Sequence, residues 1–254
     1  MTAISKAMAK AAAANTTLPT IREIVSRLRV FSTCDVADAL VRLGDKKGGF
    51  LHGISARTPG AAPGTPVKIC GPAVTIRMCN YGGGLGQALK PFVEYNEPGK
   101  IMIIETPDGK AAKISACWGS LETARAKILQ AEGVIVSGNV RQVSDCNEMG
   151  LPIFSRGTAA LGTREHMRLA KANETITIGG VDVRSDDMLL ADENGVVVIR
   201  YGRIQEVLES CEYGVRHDKA ARQAISSGST MKEALRHARY VSGLPVERIG
   251  PLRL

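Results

Sequence analysis

"GVIVSGNVRQVSD", residues 133–145, joins a short apolar run to a Gly-Asn pair, an arginine and a polar segment. The run is brief and β-branched, which predicts a buried strand and not a helix. The residues that follow, "VRQVSDCNEMG" (140–150), read as a short helix. Upstream, "KIMIIE" (100–105) is a second buried strand, and "GSLETARAKILQAEG" (119–133) is the helix leading into the first. Downstream, "PIFSRG" (152–157) is a third strand. Short apolar strands alternating with helices form consecutive parallel βαβ units, so the fold class is α/β.

"TIREIVSRLRVFSTCDVADALVRLG" (20–44) reads as two helices. Ile21, Ile24, Val25 and Leu28 recur at helical spacing, and Ser32 or Thr33 caps a second helix through Leu43. Residues 44–64 form a Gly- and Pro-rich loop around a short strand. "VKICGPAVTIRMC" (67–79) is a strand, or a bent pair broken at Gly71-Pro72. "YGGGLGQAL" (81–89) lacks both GxGxxG and a GK[ST] ending, so it reads as a turn into a helix from Leu85 to Val93. "ETITIGGVDVRSDDMLLADENGVVVIR" (174–200) predicts hairpins turning at Gly179-Gly180 and Asn194-Gly195. A helical tail follows from about Gly202 to Tyr240. The organisation expected is an N-terminal arm (1–20), a single domain with its helical tail (21–240) and a C-terminal extension (241–254).

The 254 residues are 44% hydrophobic and 23% charged, as in an ordinary globular protein. No apolar run approaches the roughly 18 residues of a membrane span. The net charge of +8 is spread along the chain, and four Phe and one Trp offer little for base stacking. A small anionic substrate, or simple solubility, accounts for the charge, and a small anionic substrate is the expected partner ahead of nucleic acid. Six cysteines (Cys34, Cys70, Cys79, Cys117, Cys146 and Cys211) include no CxxC pair and read as thiols of a reducing compartment, which predicts a cytoplasmic protein. Cys117 and Cys146 flank the suspected site and stand as candidate catalytic thiols.

In parallel α/β units, ligands gather beyond the carboxyl ends of strands, where helix N-termini aim N–H groups outward. Two such ends converge here, Gly119-Ser120-Leu121 and Gly138 to Arg141. Arg141 adds a planar fork suited to a carboxylate, and the whole is an anion cradle sized for a 2-oxo acid. The alternative is that Arg141 pairs with Asp108 or Glu122 and Gly119 ends a loop.

The segment "DGKAAKISACWGSLETARAKILQAEGVIVSGNVRQVSDCNEMGLPIFSRGT" (108–158) resembles the signature region of the RraA-like superfamily. "STCDVADAL" and "MLLADENGVVVI" are similar to it too, so the likeness spans roughly residues 30 to 230. The superfamily contains 4-hydroxy-4-methyl-2-oxoglutarate aldolases, which also decarboxylate oxaloacetate, and the regulator of ribonuclease activity A. The resemblance implies layered β-sheets with flanking helices, assembled as a trimer or pair of trimers with sites at subunit interfaces. It implies that Arg141 holds the pyruvate-like part of a substrate and that Gly119, Ser120 and Leu121 supply amides. It also implies an acidic residue from the neighbouring subunit's C-terminal helix, for which Asp218, beside His217, is the candidate.

Two positions depart from the aldolase pattern. Gln142 stands where the aldolases have an aspartate that ligates magnesium or manganese, and Ser120 where they often have an acid. A hard cation prefers charged carboxylates, so any metal would rest on Gln142 with Asp145, one helical turn beyond Arg141. The Arg-Gln pair resembles the regulator branch, whereas "LPIFSRGT" and the long tail resemble the aldolases. Three readings follow: a carbon–carbon lyase acting through an enolate, a non-catalytic regulator of an RNA-processing protein, or a repurposed metal-independent biosynthetic enzyme.

Overall fold

The computed structural model describes residues 19–59, 65–82 and 91–243. Most of the expected N-terminal arm, nearly all of the C-terminal extension and residues 85–90 of the expected 85–93 helix lie outside these. Of that helix, the described part is a 3-10 turn over Phe92–Tyr95. The two N-terminal helices are present as α1 (Ile21–Leu28) and α2 (Thr33–Arg42), capped by Thr20 and Ser32. Strand β1 is the short Ser55–Ala56.

Residues 67–79 do not form a broken pair. Strand β2 runs unbroken over Ile69–Asn80, through Gly71-Pro72. The three parallel strands follow as expected: β3 (Ile101–Glu105), β5 (Gly133–Val140) and β6 (Ile153–Thr158), joined in register from β2 outward. Between them lie α3 (Lys110–Ile114), the short β4 (Ala116–Trp118), α4 (Ser120–Ile128) and α5 (Val143–Glu148). Strand β7 (Met167–Ala172) runs antiparallel to the end of β2. Two hairpins complete the β-structure: β8 (Ile176–Ile178) with β9 (Val181–Val183), and β10 (Met188–Asp192) with β11 (Gly195–Ile199). The second turns at Glu193-Asn194, one residue earlier than the sequence suggests, because Gly195 is already paired with Asp192. The tail is two helices, α6 (Ile204–Ser226) and α7 (Met231–Ser242). Among the described residues no helix is long and apolar enough to cross a membrane.

Alternation along the strands separates three buried clusters. Ile101 and Ile103 of β3 point into an inter-sheet core with Leu189 of β10 and Val196 and Val198 of β11. Met102 and Ile104 point the other way, into a core shared with Trp118, Ala126 of α4 and Cys146 of α5. Met188, Leu190, Val197 and Ile199 pack beneath α1, α2 and α6. The result is four layers, α/β/β/α, with both faces of the parallel strands buried as such strands require.

A buried carboxylate locks α2 to this frame. Asp192, 2% exposed, accepts from Thr33 N–H at 2.8 Å and from the Thr33 hydroxyl at 2.6 Å. It also takes the N–H of Asn194 at 2.9 Å, so one side chain satisfies a helix start and a hairpin turn. Removing it leaves the Thr33 N–H and hydroxyl and the Asn194 N–H and side-chain amide without this acceptor. Asp192→Ala is expected to cost roughly 3 kcal/mol, read as a fall in the urea midpoint at unchanged slope, with Asp192→Asn recovering part of the loss.

Candidate functional site

The expected cradle assembles at the carboxyl end of β5. Strand β4 pairs in parallel with β5, setting Trp118 beside Val140. The Arg141 N–H then donates to Trp118 O at 2.9 Å, which fixes the arginine backbone against the start of α4. Its side chain lies across Gly119, where an added Cβ would stand 3.1 Å from Arg141 Cγ and 3.1 Å from Gln142 Oε1. The guanidinium end passes Gly162, where a Cβ would stand 3.1 Å from Nη1 and 3.2 Å from Cζ. Gly162 is carried there by its neighbour, since Leu161 O accepts from Ala116 N–H at 2.8 Å.

Arg141 makes no ion pair among the described residues, and neither of the expected structural partners takes it. Glu122 is turned back to accept from Gly119 N–H at 3.0 Å, capping α4. Asp108 lines a different cleft. The N–H groups of Ser120 and Leu121 find no acceptor among the described residues, leaving two donors and the positive end of the helix dipole beside a free guanidinium. These are the donor types that a carboxylate accepts from.

Three side chains brace it from behind. The indole of Trp118 donates to Thr123 Oγ1 at 2.8 Å, and that hydroxyl donates to Gly119 O at 2.8 Å. The Cys146 thiol faces Arg141 O at 3.7 Å and lies 3.2 Å from Thr123 Oγ1. Neither Thr123 nor Gly162 is flagged by the sequence. Thr123 reads as one residue of a helix, and Gly162 as part of a loop whose approach to Arg141 is set by tertiary pairing.

Burial removes the expectation of a catalytic thiol. Cys117 is buried, which pushes its pKa up to about 12, and burial likewise raises that of Cys146. At pH 8 a thiol of pKa about 12 is thiolate in only about one molecule in ten thousand. His217 and Asp218 sit together on α6, Nδ1 to Oδ1 3.1 Å. That helix packs on α1, α2 and α7, so within one chain Asp218 is not brought to Arg141.

The donors for a divalent cation are poor. Gln142 is held in the left-handed region (φ 52°, ψ 45°), and its Nε2 donates to exposed Asp145 Oδ2 at 3.4 Å. Magnesium demands six oxygens in near-octahedral order and favours carboxylates. Here one carboxylate, already engaged, stands with a neutral amide and the Ser120 hydroxyl. Among the described residues no three His, Cys, Asp or Glu side chains converge. These residues do not fit a magnesium or manganese site.

The model of the RraA-like family, described as Aldolase/RraA, matches residues 33–198. The chain belongs to the RraA-like family. A relative from Halalkalibacterium halodurans, named "Putative 4-hydroxy-4-methyl-2-oxoglutarate aldolase", is 31% identical over 159 residues, 63% of this chain and 72% of that one. An uncharacterized protein from Pseudomonas syringae shares the RraA-like fold with TM-score 0.69 at 22% identity, covering 85% of this chain and 98% of that one. Streptomyces coelicolor RraAS2, described as an unusual member of the RNase ES inhibitor RraA protein family, superposes with TM-score 0.64 at 23% identity, covering 82% and 96%. The layered sheets, flanking helices and helical tail are thus those of RraA-like proteins.

Two measurements check this site. Thiol titration of the native protein at pH 8 should find Cys34 and the half-buried Cys79 fast, with the other four cysteines reacting only on unfolding. Gly162→Ala should displace the Arg141 guanidinium and weaken binding of a small carboxylate such as oxalate about tenfold, while shifting Tm by no more than a few degrees. Quenching of Trp118 reports the binding.

Proposed function

We propose that the protein is a carbon–carbon lyase for a small 2-oxo or β-keto acid. The observation that carries this reading is an Arg141 guanidinium that has no acidic partner among the described residues, beside Ser120 and Leu121 amides that find no acceptor among them either. Arg141 binds the substrate's C1 carboxylate through two parallel hydrogen bonds. Cleavage of the C3–C4 bond sends its electron pair into the C2–C3 bond and the C2 oxygen, giving the enolate of pyruvate. The departing fragment is carbon dioxide from oxaloacetate, or a second keto acid from 4-hydroxy-4-methyl-2-oxoglutarate, whose C4 hydroxyl gives up its proton to Asp218 as the new carbonyl forms. Amides and guanidinium stabilise the new oxyanion, a contribution of about 3–4 kcal/mol for a single well-placed donor in other enzymes. A proton then returns to C3. Asp218, supplied by the α6 helix of a neighbouring copy in a trimer or hexamer, is the group proposed to deliver it. No step passes through a metal.

A second reading rests on the two positions that depart from the aldolase pattern. Ser120 and Gln142 leave both acidic positions neutral, which is the pattern of a protein that keeps the fold and gives up the chemistry. On that reading the protein is a regulator that binds an RNA-processing partner.

The deciding experiment is pyruvate release from oxaloacetate and from 4-hydroxy-4-methyl-2-oxoglutarate, in EDTA and with Mg²⁺ or Mn²⁺, against protein-free blanks. The lyase reading expects turnover that persists in EDTA. Arg141→Ala should lower kcat/KM at least about 100-fold with Tm nearly unchanged. Turnover confined to a Gln142→Asp, Ser120→Asp variant with metal would sink it in favour of the regulator.

A further inference from the structure

The parallel sheet has a second opening at its carboxyl edge, on the face away from Arg141. Glu105 and Arg156 each lie two residues beyond a side chain of the inter-sheet core, Ile103 and Phe154, so alternation turns them to that side. Trp118 and Cys146, which brace the Arg141 cradle, belong to the opposite core. Between the ends of β3, β5 and β6, the loop leading into α3, and the Gly179-Gly180 turn lies a cleft of about 860 Å³.

The charges in this cleft are unequally matched. Arg77 and Glu105 neutralise each other at 2.7 Å, and Arg77 Nη2 also donates to Thr175 O at 2.6 Å. Lys113 and Arg156 line the cleft and make no ion pair among the described residues. Ser137 Oγ accepts from Thr106 N–H at 3.0 Å, which leaves its own O–H to donate. Against these, among the described residues, stands one acid that makes no ion pair, Asp108, exposed on the loop. Two unpaired cations and a hydroxyl donor, at the strand ends where α/β ligands collect, select an oxyanion.

We propose that this cleft is a second ligand site, separate from the Arg141 cradle, which binds a small dianionic oxyanion of the phosphate-monoester class through Arg156, Lys113 and Ser137. Inorganic phosphate is the probe, titrated into the full-length protein with sodium chloride of matched ionic strength as control. A ligand at about ten times its Kd should raise Tm by roughly 3 °C in a chain of this size, and above Kd the rise should grow with the logarithm of the phosphate concentration. Arg156→Ala abolishes the phosphate-specific rise, and Arg156→Gln, which keeps most of the side chain's bulk, must do the same. Lys113→Ala weakens the apparent affinity severalfold, whereas Asp108→Asn strengthens it by removing repulsion. Arg141→Ala leaves it unchanged, which separates this site from the one proposed above. A rise no larger than chloride produces overturns the proposal. So does one that survives both Arg156 variants or disappears in Arg141→Ala.

Discussion

Strand β2 belongs to two sheets at once, and the architecture follows from that. Its first residues, Ile69 to Pro72, pair antiparallel with β10, and from Ala73 onward it pairs in parallel with β3. Pro72 stands at the changeover, where a missing N–H costs least because the hydrogen-bonding partner is about to change. The next residue, Ala73, resumes by donating to Asp187 O at 2.9 Å. Because one chain crosses from the hairpin side to the parallel side, the two sheets are tethered face to face. The Ile and Val side chains between them form a core that neither sheet could close alone.

The candidate site is a by-product of that geometry. Parallel strands deliver their carboxyl ends to one edge, and the chain leaving β5 must turn there to enter α5. Gln142 makes the turn in a left-handed conformation, which non-glycine residues adopt at a cost of order 1 kcal/mol. The turn throws Arg141 across Gly119, while hydrogen bonds from Trp118 and Thr123 keep the start of α4 from moving away. Arginine geometry is thereby set by backbone and by two glycines, and not by any acid among the described residues. A guanidinium so held keeps its charge for a ligand.

The parallel strands are legible in the sequence because apolar runs of five or six residues between helical stretches fit little besides buried strands. The pairing of Arg141 with residues 119–121 is legible for a related reason, since strand ends and helix starts share an edge. What the sequence hides is tertiary. Gly71-Pro72 leaves residues 67–79 open between one strand and a broken pair, and pairing with β10 decides for the strand. Asn194-Gly195 reads as a turn, yet the hydrophobic register of β10 against β11 moves the turn back one residue. Gly162 carries no local signal, because its role depends on which side chain passes over it. Asp192 lies within a recognisable run, but nothing in that run says that its carboxylate ends on Thr33, 159 residues away.

Helix α6 spans 23 residues, about 35 Å, and only its first half touches the body of the protein. Ile204, Val207, Leu208 and Cys211 enter the core beneath the β10–β11 hairpin. Past Tyr213 the buried residues are Ala220 and Ala221, packed on Ala238 and Leu235 of α7 and on little else. Alanines bury too little surface to couple this tip tightly to the rest. Within a single chain, the outer half of α6 and all of α7 are therefore expected to open to solvent at a lower free energy than the sheets.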